Sequence, residues 1–474
     1  MDFRFSEEQL AFYKSVKDFA AQVVEPGAHE RDVEGRFDRK VWDALGEFGL
    51  LGLPVPEEYG GSGADIVTTC LALEALAEGG HDAGLGLSVG AHITIGTVPI
   101  WLHGTEEQKR SYLPKLCSGE SIGAMAITEP EAGSDAAAIK TRARREGDDW
   151  VINGSKIFIT NGSIADSVIV IAVTGPEEGP GRGVTAFIVD KDNPGFSVEK
   201  DLDKMGTRSS PLSLLHFDDC RVSNDAVLGP EGSALWQVAF ECFDWERCVM
   251  IASSIGGMKS SLNAAIEYAK ERKAFGKPLA KHQAIQHKIA EMKANLDAAS
   301  LLLYRAAWMK QEGLPHQVEA SVAKLFVAEA AMKNAVEATQ VFGGYGYIKE
   351  YPVERSMRNA KLISIGGGTS EIQKMIIAPG LNLLFEDLFQ PLVRDLAVDA
   401  RGDATVGSDD DRHRLVGDAV RLPDLRPMRE LVGHVELLRV PNPVFDRVVV
   451  GHSEERDLPL EFLSQLVEVR LLRL

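Results

Sequence analysis

The sequence predicts a multidomain α+β protein: a helical N-terminal domain (1–121), a middle β domain (122–232), a C-terminal helical bundle (233–384), and an extension (385–474) of unknown fold. Three observations predict it. Apolar residues recur at helical spacing at the front, short β-rich runs fill the middle, and long periodic stripes return after Ser233. With 474 residues, 45% of them hydrophobic, the chain is long enough for two or three domains and a buried core.

Leu10, Tyr13, Val16 and Phe19 step along one face of a helix, and Gly/Pro punctuation around "PVPEEYGGSG" breaks the helical pattern that runs to about Cys117. The runs "DWVINGSKIFIT", "SVIVIAV", "VTAFIVD" and "LSLLHF" then read as strands, separated by turn material such as "GPEEGPGRG". Ile285, Ile289, Met292, Leu296, Ala299 and Leu303 form one stripe, and after the break "EGLPH" a second runs through Leu325, Ala328, Met332, Ala335 and Thr339. Two long antiparallel helices of an up-down bundle are expected. Beyond Leu384 lysine disappears and no motif carries chemistry, so the extension reads as a small appended module or as chain that does not pack.

The net charge of −19 argues against nucleic acid, which requires clustered cations. A multiply anionic ligand would need local arginines or helix N-termini. Five scattered cysteines without CxxC spacing suggest neither disulfides nor zinc, and the histidines do not cluster, so no metal is expected. The opening "MDFRFSEEQLAFYKSVKDF" resembles no leader peptide, and no run is expected to approach the ~20 apolar residues needed to cross a bilayer, so a cytoplasmic location is expected. Signatures of Rossmann, P-loop, zincin and hydrolase sites are absent.

Several local constellations remain. "AITEPEAGSD" (126–135) presents Thr128 and Ser134 on a glycine-containing turn, able to meet a polar cofactor or merely to join two elements. In "KIFITNG" strand alternation sets Phe158 and Thr160 on one face. "FDWERC" places Asp244, Glu246 and Arg247 beside Trp245 where a helix is expected to begin, so its carboxylates suit either catalysis or the helix dipole. "ERKAFGKPLAKHQ" gathers Arg272, Phe275, His282 and Gln283 near a helix–helix join. "SIGGGTSE" (364–371) either brings backbone close to something bulky or marks a place where a side chain is missing.

Taken together and in this order, "ITEPEAGSD", "INGSKIFITNG", "FIVDKDNPGFSV", "ERKAFGKPL", "QVFGGYGYIKEYPVERSMRNAK" and "GTSEIQ" resemble the acyl-CoA dehydrogenase family as far as Leu384. The resemblance implies a four-helix C-terminal bundle, FAD bound between the β and C-terminal domains, and a homotetramer. It also implies an acyl-CoA or acyl-carrier-protein thioester as substrate and an electron-transfer flavoprotein as electron acceptor. By motif, Met125, Ile127, Thr128 and Ser134 resemble the segment along the flavin, with Ser134 also near the ligand. Phe158 holds the place of an aromatic against the ring, and Thr160 that of a hydroxyl near N5. Arg272 and Phe275, from a neighbouring subunit, would meet the diphosphate region, and Gln340 to Gly344 the other side; His282, Gln283, Thr369 and Glu371 match cofactor-binding positions too. Ala274 departs from members that carry a hydroxyl there.

Many members place their catalytic glutamate in the loop that here reads Gly366-Gly367-Gly368, at the position of Gly367. Members resembling isovaleryl-CoA and long-chain acyl-CoA dehydrogenases carry it on the bundle helix, where Glu246 aligns. The resemblance therefore implies that Glu246 removes the α-proton while a hydride leaves the β-carbon for flavin N5, giving a trans-2-enoyl thioester. Gly367 and Gly368 would line the thioester, and Asp244 and Arg247 the pantetheine arm. An oxidase using O2, and a non-catalytic FAD-binding protein, are the competing readings.

Overall fold

Capping signals set the first helices in the computed structural model, which describes residues 4–381; the 385–474 extension lies outside them. Ser6 and Gln9 close a capping box on α1 (Glu7–Phe19), where Val16 is buried and Leu10, expected on the same face, is 52% exposed. Six more helices follow: α2 (Ala28–Glu34), α3 (Arg39–Glu47), α4 (Ile66–Gly80), α5 (Ala83–Ala91), α6 (Val98–His103) and α7 (Glu106–Ser118). A wide turn, His92–Thr97, fuses α5 and α6 into one 21-residue helix. By length and composition this helix could cross a bilayer, a run that a glance at its glycines passes over, yet 78% of its apolar window is buried inside the fold. His92 is fully buried there, accepting the Gly123 N–H at Nδ1 (3.0 Å) and facing the Leu116 carbonyl through Nε2 (3.0 Å).

The middle sheet holds β1 (Gly123–Ala126), β2 (Arg142–Glu146), β3 (Asp149–Thr160), β4 (Ser167–Val173), β5 (Val184–Asp190), β6 (Phe196–Asp201), β7 (Leu212–Ser223) and β8 (Val227–Leu228). Their order is β6-β7-β3-β2-β4-β5-β8, with β1 parallel to β4. The expected runs coincide with β3, β4 and β5, and "LSLLHF" opens β7. β3 is not regular: its register against β7 slips between Lys156 and Ile159. Plain alternation therefore does not carry from Phe158 to Thr160, and their expected common face gives way to a bulge that re-aims Phe158.

The second helical segment contains α8 (Phe240–Trp245), α9 (Ala252–Glu271), α10 (Gln283–Gln311), α11 (Gln317–Phe342), α12 (Pro352–Ile363) and α13 (Ser370–Gly380). On α10 the expected stripe is the packed one: Met292, Leu296, Ala299 and Leu303 are buried, while Ile285 and Ile289 pack at its edge. On α11 the buried face is displaced. It is centred on Ala320, Ala323, Val327, Ala331, Asn334, Ala338 and Val341; of the expected stripe Ala328 and Ala335 are buried with it, while Leu325, Met332 and Thr339 sit half-buried at its margin. Alanine on nearly every side of α11 leaves the period without contrast, and the true face also buries Lys324.

Candidate active site

Glu246 stands in the middle of a long irregular helix, not at a helix start as expected. Wide turns at Leu235–Ala239 and Glu246–Met250 flank α8, and α9 continues the run. Wide turns of this kind displace side chains from the regular spiral and concentrate at functional positions. Trp245 turns into the core at 3% exposure, while Glu246 is half-buried toward the loop between α12 and α13.

That loop carries glycine for two different reasons. Gly367 has φ +63°, and a Cβ built there would lie 3.6 Å from Oε2 and 3.7 Å from Cδ of Glu246. Gly368 has φ +87°, and its Cβ would come within 2.8 Å of Gln373 Nε2, so the buried amide would have to move. Gln373, wholly buried, donates to the carbonyls of Gly367 (3.2 Å) and Gly368 (3.0 Å), and Lys324 Nζ donates to Gly368 O at 2.5 Å. Thr369 caps α13 by accepting the Ile372 N–H at 3.3 Å, with Glu371 exposed in the first turn.

Burial pushes the Glu246 carboxyl up to about 7, while Arg247 and Lys324 pull it back. Desolvation outweighs both cations. Arg247, 5% exposed, lies 3.7 Å from Asp244 and over the Phe243 ring at 5.5 Å. Asp244, also buried, is 3.4 Å from His316 Nε2, which raises the imidazole's affinity for its proton. Lys324, Gln373 and His316 were missed in the sequence; a lysine on the apolar face of α11 was the available signal, hidden by the displaced stripe.

A second group gathers on the sheet. Met125 and Ile127 are buried at and beyond the end of β1, Thr128 is half-buried and Ser134 exposed. The Ile157 N–H donates to Thr128 O (2.9 Å), which brings Thr128 beside the bulge of β3. There Phe158 is 58% exposed at φ +61°, and Thr160 ends the strand half-buried. A non-glycine residue held in the left-handed region with its ring in solvent is strained and apolar at once, as at sites that await a ligand. Underneath, fully buried Lys156 donates to Ile127 O (2.7 Å) and Glu129 (2.8 Å).

A third group forms a cleft of about 580 Å³ lined by Tyr268, Arg272, Ile285, Gln340, Gly344 and Tyr345, among others. Arg272 terminates α9, its guanidinium 5.5 Å over the Tyr345 ring, within ion-pair distance of no carboxylate among the described residues. A two-stranded hairpin (Lys273–Ala274 with Lys277–Pro278) then lifts Phe275, which is 96% exposed at φ +52°. The Phe275 ring meets His282 edge-on at 6.1 Å, His282 Nε2 faces Ala274 O at 3.0 Å, and Gln283, exposed, opens α10. Neither Glu246 nor Phe158 lines this cleft.

Three family descriptions match the chain in order: "Acyl-CoA dehydrogenase, N-terminal domain" over residues 6–120, "middle domain" over 124–220 and "C-terminal domain" over 236–381. The short-chain-specific acyl-CoA dehydrogenase of Clostridium acetobutylicum is 43% identical over 378 residues, which is 80% of this chain and 99% of that protein. Among solved structures, butyryl-CoA dehydrogenase from Megasphaera elsdenii is 42% identical with a TM-score of 0.78, covering 80% of this chain and all of that one (100%). A prolyl acyl carrier protein oxidase is 39% identical, with the same TM-score of 0.78 and the same coverage, 80% and 100%. With its three segments matched in sequence and its architecture shared, the chain belongs to the acyl-CoA dehydrogenase family.

Proposed function

We propose that the protein is an FAD-dependent acyl-CoA dehydrogenase whose catalytic base is Glu246. One observation carries the assignment of the base: Glu246 Oε2 lies 3.6 Å from where a side chain at Gly367 would begin, so the carboxyl fills the space that the loop leaves empty. Removing a thioester α-proton needs a carboxylate near the carbon in a dry site, and a carboxyl held near 7 is poised both to stay ionised and to accept a proton. Bound FAD supplies the acceptor for the hydride that leaves the β-carbon.

The remaining steps fall to side chains and backbone. Glu246 Oε2 takes the α-proton. Gly367, without a side chain, leaves room for the thioester against the main chain, and Gln373 and Lys324 hold the neighbouring carbonyls still. Arg247 and Asp244, buried one residue and two residues away from Glu246, supply polar contacts for the pantetheine arm. The residues present suit FAD: Phe158 offers an exposed ring beside Thr128 and Thr160, and Arg272 a cation that no carboxylate among the described residues pairs with, on an acidic chain. Because the Arg272 cleft excludes Phe158 within one chain, a neighbouring subunit completing the site in a homotetramer is the reading it supports. An electron-transfer flavoprotein is the expected electron acceptor.

Glu246→Gln is the test. It is expected to keep its yellow flavin spectrum and lose at least ~10³ in turnover, the scale of removing a central proton acceptor; turnover near wild type would assign the base elsewhere. Similarity to a prolyl acyl carrier protein oxidase favours a second reading, a carrier-bound thioester with O2 as acceptor. Bleaching of the oxidised flavin by CoA-linked but not carrier-linked thioesters, with slow reoxidation in air, separates the first reading from the second.

A further inference from the structure

Two donors converge on one backbone oxygen behind the glycine loop. Gln373 Nε2 reaches Gly368 O at 3.0 Å and Gly367 O at 3.2 Å, and Lys324 Nζ reaches the same Gly368 O at 2.5 Å. The neutral amide already satisfies both carbonyls, so hydrogen bonding alone does not require the ammonium. Lys324 is 2% exposed on the core face of α11, and no carboxylate among the described residues lies within ion-pair distance of it. Burying a cation with no carboxylate in contact costs several kcal/mol.

We propose that Lys324 is a positioning residue for the reaction: with Gln373 it pins the glycine loop against Glu246, and it supplies from the opposite helix the positive charge that faces this carboxylate. The inference rests on Glu246 being the base. The geometry links the two groups through a single residue step, since Lys324 grips Gly368 while Gly367 borders Oε2.

The other groups around this turn do not duplicate the role. Arg247 also faces Glu246 but is shared with Asp244 at 3.7 Å. Cys242, one turn earlier, is a wholly buried thiol with no positive charge to offer. From α4 the Cys70 thiol donates to the Cys248 carbonyl at 3.4 Å, and from α10 Lys310 acts on the Cys248 thiol. The sequence of α5, "AGLGLSVGA", has no charged group to contribute.

The sign of the effect follows. A base works ionised, so kcat/KM climbs with pH through its pKa. Taking away a facing cation makes the carboxylate harder to form, and the rising limb moves to higher pH, by about 1 unit for one opposite charge at close range. Lys324→Gln retains a donor and drops the charge; it is expected to shift the limb upward by this amount, to lose about tenfold more kcat/KM on the acid side than on the alkaline plateau, and to keep its FAD. Lys324→Arg is expected to restore the limb. A limb at the wild-type pH in Lys324→Gln overturns the proposal and leaves Lys324 a packing residue.

A double variant separates this failure from failure of the base assignment. In the Glu246→Gln background the residual rate is expected to be flat with pH and indifferent to Lys324→Gln. Equal losses from Lys324→Gln in both backgrounds overturn the proposal. A Glu246→Gln protein with full turnover and an intact limb overturns the base assignment instead, and the proposal with it.

Discussion

Moving the proposed base from position 246 into the loop is a demanding test of the site's geometry. In the Glu246→Gln protein, Gly367→Glu places a new Cβ 3.6 Å from the terminal atom of the side chain it replaces, an ordinary contact for that atom. The backbone there is at φ +63°, so the substitution carries about 1–2 kcal/mol of strain that lowers stability rather than rate. If Glu246 is the base, its loss costs ~10³ in rate, about 4 kcal/mol of barrier. A replacement displaced by about 1 Å forfeits ~10², so the double variant should regain about tenfold over Glu246→Gln. Gly368→Glu is the matched control: its Cβ would strike Gln373 Nε2 at 2.8 Å, and no rescue is expected. The assay is the anaerobic rate of flavin bleaching by a saturating acyl thioester. Equal rescue at 367 and 368, or none at 367 in a protein that binds FAD and thioester normally, would refute the reasoning.

Two further perturbations probe the scaffold. Lys156→Met strands Glu129, which would keep only the N–H groups of Lys140 and Thr141 (2.6 and 2.8 Å), and breaking a buried pair in this way costs ~3–5 kcal/mol. Because Lys156 also holds Ile127 O, FAD affinity measured by fluorescence titration should weaken along with Tm; undiminished affinity would mean that this segment does not bear on the cofactor. His92 is needed neutral, since Nδ1 accepts the Gly123 N–H, and burial lowers its pKa to about 4 from 6.5. The unfolded chain therefore binds the proton more readily between those values, and stability falls as pH drops from 6.5 to 4, by about 3 kcal/mol, and is unaffected by this group above 6.5. Urea unfolding at pH 7.5 and 5 should show the loss, and His92→Gln should remove that part of it.

What could be read beforehand follows contrast in the chain. β3, β4 and β5 are dense in β-branched and aromatic residues between turns, and their limits were legible. β2, "RARRE", and β1, "GAMA", offer neither alternation nor bulk, because one is largely exposed and charged and the other buried on all sides. The Glu246–Gly367 relation was legible because a residue missing from one motif and one gained in another account for each other. Local geometry was not: the bulge at Phe158 and the wide turn at Glu246 arise from tertiary packing, which no periodicity encodes. Lys324 stayed hidden because alanines on both sides of α11 blurred which face is core.

Exchange of the substrate's α-hydrogen with solvent deuterium reports proton removal apart from any later event. The account predicts exchange in the wild-type protein with an acyl thioester that cannot lose its β-hydride, and at least ~10³ slower exchange in Glu246→Gln with FAD retained. Exchange at the wild-type rate in that variant would contradict it.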